Sequence, residues 1–128
     1  MAVGTSAMCG TFKREILAGI HHLTAHTRTG SSAISADTLK VAMFTNSSSI
    51  DADTTGYTTS NEVSGTNYSA GGAALSSVTI GLADNSSAVP TAFVDFADTT
   101  FSSSTISSAR GALIYNSTLS TAGTGSTT

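Results

Sequence analysis

Three histidines are the first residues whose types and spacing suggest chemistry. His21, His22 and His26 stand as H-H-x-x-x-H near the start of the chain. On a continuous helix His22 and His26 would lie one turn apart on one face, the spacing of a two-histidine metal grip. Two ligands do not make a site. Glu15 shares that stripe but stands about 10 Å from His22 along a helix axis, too far to complete the same coordination shell. A second constellation lies in "IDADTTGYTTSNE", residues 50 to 62. Counted from Asp51, an acid stands third (Asp53), a glycine sixth (Gly56) and a glutamate twelfth (Glu62), which are calcium-loop positions. No amphipathic helices flank it. The simpler reading is a turn-rich loop whose aspartates cap local backbone N–H groups. No metal and no cofactor is expected.

Nucleophiles are too common to be informative. Serine and threonine make up 44 of the 128 residues. No G-x-S-x-G elbow occurs, and a Ser-His-Asp triad would have to draw on histidines bunched in one early segment. "GTNYSAGG", residues 65 to 72, has the glycines of a phosphate loop without its lysine or its following helix. Asp95 alternates into a strand and reads as an exposed carboxylate rather than a general base. The chain is not expected to be an enzyme. The single cysteine, Cys9, forms no internal disulfide and fits synthesis in a reducing cytoplasm.

These residues need elements to hold them. Residues 11 to 23 read as a helix: Phe12, Ile16, Leu17, Ile20 and Leu23 share one sector, with Thr11 as N-cap. Residues 24 to 36 read as a loop. Strand alternation marks residues 38 to 45, with Leu39, Val41 and Met43 opposite Lys40, Ala42 and Phe44. It returns at Val78, Ile80 and Leu82, where the out-of-phase Leu75 predicts a bulge or kink at Ser76 and Ser77. A turn over residues 83 to 90 contains the only proline, Pro90. "TAFVDFA" is a strand, residues 101 to 106 a weak one and "RGALIYN" a stronger one. The fold class is therefore mainly β, an antiparallel β-sandwich or β-barrel-like domain with one N-terminal helix. Residues 1–10 read as a flexible N-terminal arm, 11–116 as a single β-rich domain and 117–128 as a polar C-terminal tail.

Composition narrows the partners. Charged residues are 10% of the chain and the net charge is −3, with five Lys and Arg in all. No basic stripe exists to neutralise phosphates, so nucleic acid is not an expected partner. No apolar run approaches the roughly 20 residues that span a bilayer, so no membrane partner is expected. The N-terminus has no charged start followed by an apolar block, and so no secretory signal. N-x-S/T triplets at Asn46, Asn67, Asn85 and Asn116 follow from the abundance of Ser and Thr.

The order of segments carries one further signal. "TFKREILAGIHHLT", then "DTLKVAMFTNSSSIDADTTGYTTSNEVSGTNYSAGGAAL", then "TAFVDFADTTFSSSTISSARGALIYN" resembles a group of small tailed-phage structural proteins, common in phages of marine and freshwater bacteria. The resemblance covers most of residues 11 to 116. It is most specific where E-V-S-G-T-N-Y-S-A-G-G is combined with F-V-D-F-A-D and A-R-G-A-L-I-Y-N. It implies a virion component, foremost a capsid decoration or cement protein. Such a protein is made in the host cytoplasm, sits on the capsid surface and binds the major capsid protein, and we expect it to be a homotrimer. Two departures stand out. The join "TAHTRTGSSAIS" is longer than usual. The family also continues past A-L-I-Y-N with another hydrophobic strand, where this chain ends in "STAGTGSTT", as a short or truncated member would. On this reading Gly65, Gly71 and Gly72 permit turn dihedrals. Tyr57 and Tyr68 act as contact anchors with an apolar ring and a wet hydroxyl. Tyr57, Tyr68, Gly71, Gly72 and Cys9 are the candidate interaction residues. A tail or head–tail connector component is the structural alternative. A carbohydrate-binding β-module is a further one, which would need Tyr57, Tyr68 and Tyr115 exposed on one sheet face.

Overall fold

The computed structural model describes residues 6–83 and 90–122. In chain order the elements are α1 (Gly10–Leu17), β1 (His26–Thr27), β2 (Ala33–Ile34), β3 (Leu39–Thr45), β4 (Gly65–Thr66), β5 (Ala73–Ala74), β6 (Thr79–Ala83), β7 (Thr91–Asp95), β8 (Thr105–Ile106), β9 (Ala109–Asn116) and α2 (Ser117–Ala122). All strand pairings are antiparallel. The class is mainly β with one short N-terminal helix, as the alternation of apolar and polar residues predicts.

β3 is the centre. It pairs with β9 along its whole length and with β5 on its other side. Residues 61 to 63 extend that second side: Phe44 and Glu62 form a bridge, and the Val63 N–H donates to the Met43 carbonyl at 3.0 Å. Both strands that flank β3 are remote in sequence, so β3 is fixed by tertiary pairing. Alternation alone leaves open which face of β3 is inside. The deep core forms from Ala42, Phe44, Ile50, Leu113 and Tyr115, with Tyr57 packed against it. Register explains the choice, because Ala42 opposes Leu113 and Lys40 opposes Tyr115 on one face. The other strands form two-stranded pairs: β1 with β2, β4 with β8, and β6 with β7.

Five expectations need correction. The helix ends at Leu17, not at residue 23. Gly19 takes a left-handed φ of 69°, and the Ile20 and Gly19 N–H groups close back on the Glu15 and Ile16 carbonyls, both at 3.0 Å. This is a Schellman stop, which glycine enters without Cβ strain. Cys9, not Thr11, is the N-cap, and the Thr11 hydroxyl donates instead to the Thr54 carbonyl at 3.2 Å. Residues 24 to 36, expected as a loop, contain the small β1–β2 hairpin. Ser117–Ala122, placed in a polar tail, begins as a helix. The weak strand expected at 101 to 106 contracts to Thr105–Ile106. The kink at Ser76 and Ser77 is present: Ser77 has φ 52° where the chain leaves β5 for the β6–β7 pair. Most of the turn before Pro90 lies outside the described residues, as does Asn85.

Candidate functional site

The chain has two glutamates, and each sits at the centre of a hydrogen-bond network. The first network joins the two ends of the fold. Glu15 is 2% exposed, whereas its helix neighbour Leu17 is 90% exposed. The helix therefore buries an acid and leaves apolar residues outside, the reverse of the amphipathic expectation. The reason is the stop at Gly19. It turns the chain so that His21 folds back, its Nε2 reaching Glu15 Oε2 at 2.9 Å, with its ring against Phe12.

Asn116 completes this network. Its Oδ1 accepts from the Thr118 N–H at 3.0 Å and the Leu119 N–H at 3.4 Å, which makes it the N-cap of α2. Its Nδ2 then faces Asp37 Oδ2 at 2.6 Å and His21 Nδ1 at 3.0 Å. Two amide hydrogens serve two acceptors, so His21 Nδ1 accepts and the ring proton sits on Nε2, donated to Glu15. Asp37 Oδ2 also accepts the His22 N–H at 2.8 Å. Among the described residues no buried side-chain polar atom is left without a partner. Both His21 nitrogens are occupied, so this is a structural clasp and not an acid–base pair poised on a nucleophile.

The second network gathers all three tyrosines around Glu62. Tyr57 donates a short hydrogen bond to Glu62 Oε2, and Tyr68 donates to Glu62 Oε1 at 2.7 Å. The Gly71 N–H donates to the same Oε1 at 2.8 Å. Tyr115 donates to the Gly71 carbonyl at 2.9 Å and stacks on Tyr57 with centroids 4.5 Å apart. The Tyr68 oxygen accepts the Met43 N–H at 2.9 Å, which ties the cluster to β3. The residues of "EVSGTNYSAGG" thus meet "ALIYN" through Tyr115.

This placement changes several expectations. The hydroxyls of Tyr57 and Tyr68, expected as wet anchors, both donate to Glu62. Gly71 and Gly72 both take left-handed φ values, 88° and 67°, as the turn reading of these glycines requires. Cys9 is buried, with its thiol directed to the Asp51 carbonyl at 3.5 Å. Of the five candidate interaction residues, Tyr57, Tyr68, Gly71 and Gly72 come together and Cys9 lies apart beside α1. The calcium-loop positions do not converge. Asp51 Oδ1 accepts the Asp53 N–H at 2.9 Å, and both Glu62 oxygens are taken by tyrosines. His22 and His26 touch edge-on at 5.5 Å between centroids, although His26 belongs to β1 and not to a helix. No group of three or more His, Cys, Asp or Glu able to hold a metal ion occurs among the described residues.

Comparison of the chain with protein-family models, with curated proteins and with solved structures gives no match. The functional reading therefore rests on the residues and their arrangement.

The tyrosine cluster has a measurable signature. Burial, then the hydrogen bond to Glu62, pushes the Tyr68 hydroxyl up to about 12, against the partial opposition of the Met43 N–H. Burial and Glu62 also raise Tyr57, and burial raises Tyr115. An unfolded tyrosine loses its proton near 10, while these keep theirs. Above that pH the unfolded state binds fewer protons, so stability falls as pH rises. The contribution is intact below pH 10 and is lost as the pH passes about 12 for Tyr68. We predict that tyrosinate absorbance and loss of the folded signal rise together in alkali, above the free tyrosine range. The Glu62→Gln variant, which removes the carboxylate charge, should show tyrosinate at lower pH. Titration of the native chain at the free tyrosine value, with the fold intact, would refute the cluster.

Proposed function

We propose that this chain is a virion structural protein, a capsid decoration or cement protein that binds the outer capsid surface and reinforces capsomer contacts. The observation that carries the reading is the resemblance over residues 11 to 116, with its most specific parts at residues 62 to 72, 93 to 98 and 109 to 116. In the fold the first and last of these stretches supply Glu62, Tyr68, Gly71 and Tyr115 to one cluster.

The surface chemistry suits the role. An exterior rich in hydroxyls and poor in charge makes shallow polar contacts, each weak, that symmetry multiplies into avidity. Large apolar side chains stand out from it, among them Leu17 on α1 and Leu82 on β6. The partners on this reading are the major capsid protein and further copies of the chain, foremost as a homotrimer. Nucleic acid, membrane and substrate have no part in it. A tail or head–tail connector role is the second reading, favoured by the exposed β6–β7 ribbon, since ring-forming proteins present such arms. A carbohydrate-binding module fits less well, because all three tyrosines are engaged with one another and with Glu62.

Copy number decides between the readings. The chain is quantified in purified particles against the major capsid protein, by mass spectrometry. A ratio near one to one, or a simple fraction of it, is the expected result. A ratio of a few per cent would move the protein to the tail or neck. Absence from particles would overturn both structural readings.

A further inference from the structure

The β6–β7 pair is a ribbon with little protein around it. Every residue of β7 is exposed, and in β6 only Gly81 is half-buried, under the Phe93 ring. A lone two-stranded ribbon is marginal in water unless something covers it. The register Ile80↔Val94 and Leu82↔Ala92 puts those four side chains on one face. Ile80 is 54% and Leu82 58% exposed, so this face is apolar and bare. The only charge on the two strands is Asp95, which forms no ion pair among the described residues.

A complementary surface lies on the same chain. β9 is an outer strand of its sheet. On β3 the Leu39 and Met43 carbonyls and the Thr45 N–H are used on the side away from β9. Lys40, Ala42 and Phe44 therefore bond to β9 through Tyr115, Leu113 and Gly111. Ala112 and Ile114 turn their N–H and C=O groups outward, and no backbone partner meets them among the described residues. Ile114 is 47% exposed. Arg110 is the extra residue of the bulge opposite Phe44 and Thr45, and it too lacks an ion pair among the described residues. An open groove of about 720 Å³ runs along this edge, lined by Met8, Arg110, Ile114, Val94 and Phe96. The apolar face of the ribbon is continuous with it through Val94.

We infer that the β6–β7 ribbon of one copy docks along the free edge of β9 in a second copy of this chain. Paired edge to edge, its Ile80, Leu82 and Val94 face runs on beside Ile114 at the groove, and Asp95, opposite Thr79 on the other face, pairs with Arg110 at the bulge. The occupant follows from the match of the two surfaces. The edge offers unpaired backbone groups, an apolar strip and a single base. The ribbon offers an edge of its own, an apolar strip and a single acid. Strand addition satisfies the backbone groups and brings the two apolar strips into contact side by side. Reciprocal seating gives a closed dimer, and head-to-tail seating gives a ring from the same contact. The inference stands on these surfaces and does not depend on the virion reading.

The test is sedimentation of the full chain in isolation, so that its outcome is separate from any particle assay. The expected mass is a whole multiple, two or more, of 12.8 kDa. Asp95→Lys and Arg110→Glu alone should each weaken association about tenfold, and the two together should restore it. Both residues are exposed, so neither change threatens the fold. A photo-crosslinker at Leu82, in a mixture of light and heavy isotope-labelled chains, should join residues 110 to 116 of the other label. A monomer at high concentration would overturn the inference. So would crosslinks confined to one label, or an oligomer indifferent to all three charge variants.

Discussion

Exchanging Asn116 for aspartate should destabilise the protein by roughly 3–5 kcal/mol, the range for leaving a buried charge without its partner. Asn116 is fully buried, and its amide is the one group that donates to both Asp37 and His21. A carboxylate there still caps α2, so helix capping is conserved. What changes is the other half of the side chain: an oxygen replaces Nδ2 at 2.6 Å from Asp37 Oδ2 and 3.0 Å from a histidine nitrogen that loses the hydrogen it accepted. Two carboxylates then share one site, and one of them must take up a proton. The deficit in urea midpoint should therefore be largest at neutral pH and narrow as the pH falls into the carboxylate range. Asn116→Ala separates the terms. It loses the cap, about 1 kcal/mol, and leaves Asp37 and His21 each short of a donor without adding repulsion. An Asn116→Asp protein as stable at neutral pH as the native chain would show that the clasp is not formed as described.

The second large effect is expected at Gly72. A Cβ built there would lie 1.8 Å from the Val41 carbonyl oxygen, 2.6 Å from its carbon and 2.8 Å from Ala42 Cα. All three are backbone atoms of the central strand, and none can rotate away. The φ of 67° adds the left-handed cost of about 1–2 kcal/mol. The clash adds an overpacking cost of about 1–3 kcal/mol. Gly72→Ala should thus lose about 3 kcal/mol or more, through separation of β5 from β3. Gly71→Ala is the contrast. Its φ is also left-handed, but the nearest atom to its Cβ is the Tyr115 hydroxyl at 3.2 Å, the far end of a side chain that can shift. Its loss should be smaller and should appear mainly in the tyrosine titration. Equal losses at the two positions would mean that backbone conformation, and not contact with β3, sets the requirement at Gly72.

Some of this protein is determined locally, and there the sequence suffices. β3, β6, β7 and β9 follow from alternation, because a strand's two faces repeat every second residue. The dihedral needs of Gly71 and Gly72 are visible as glycines in a turn-rich stretch. Gly19 followed by Ile20 is a helix-stop signal of the same kind, and weighting it above the apolar periodicity would have ended α1 near its true end. Asn116 ahead of Ser117 is a cap signal, masked by the small polar residues that follow and look like a tail. The uncharged, hydroxyl-rich exterior is a matter of composition.

Other features exist only once remote segments meet. Glu15 reads as a surface residue of a first helical turn. It is buried because His21 returns to it and Asn116, 95 residues beyond His21, fixes the ring that receives it. Glu62 occupies the closing position of a calcium loop by count, yet its oxygens go to the nearby Tyr57 and Tyr68, in a cluster that the Met43 N–H of β3 and Tyr115 of β9 complete. The inner face of β3 is chosen by register with β9, a pairing that no local pattern encodes. Burial of a charged group is stable only when donors converge on it from several directions. Short-range sequence cannot supply that convergence. Tertiary structure therefore decided that Glu15 lies inside, and which apolar strands were left bare.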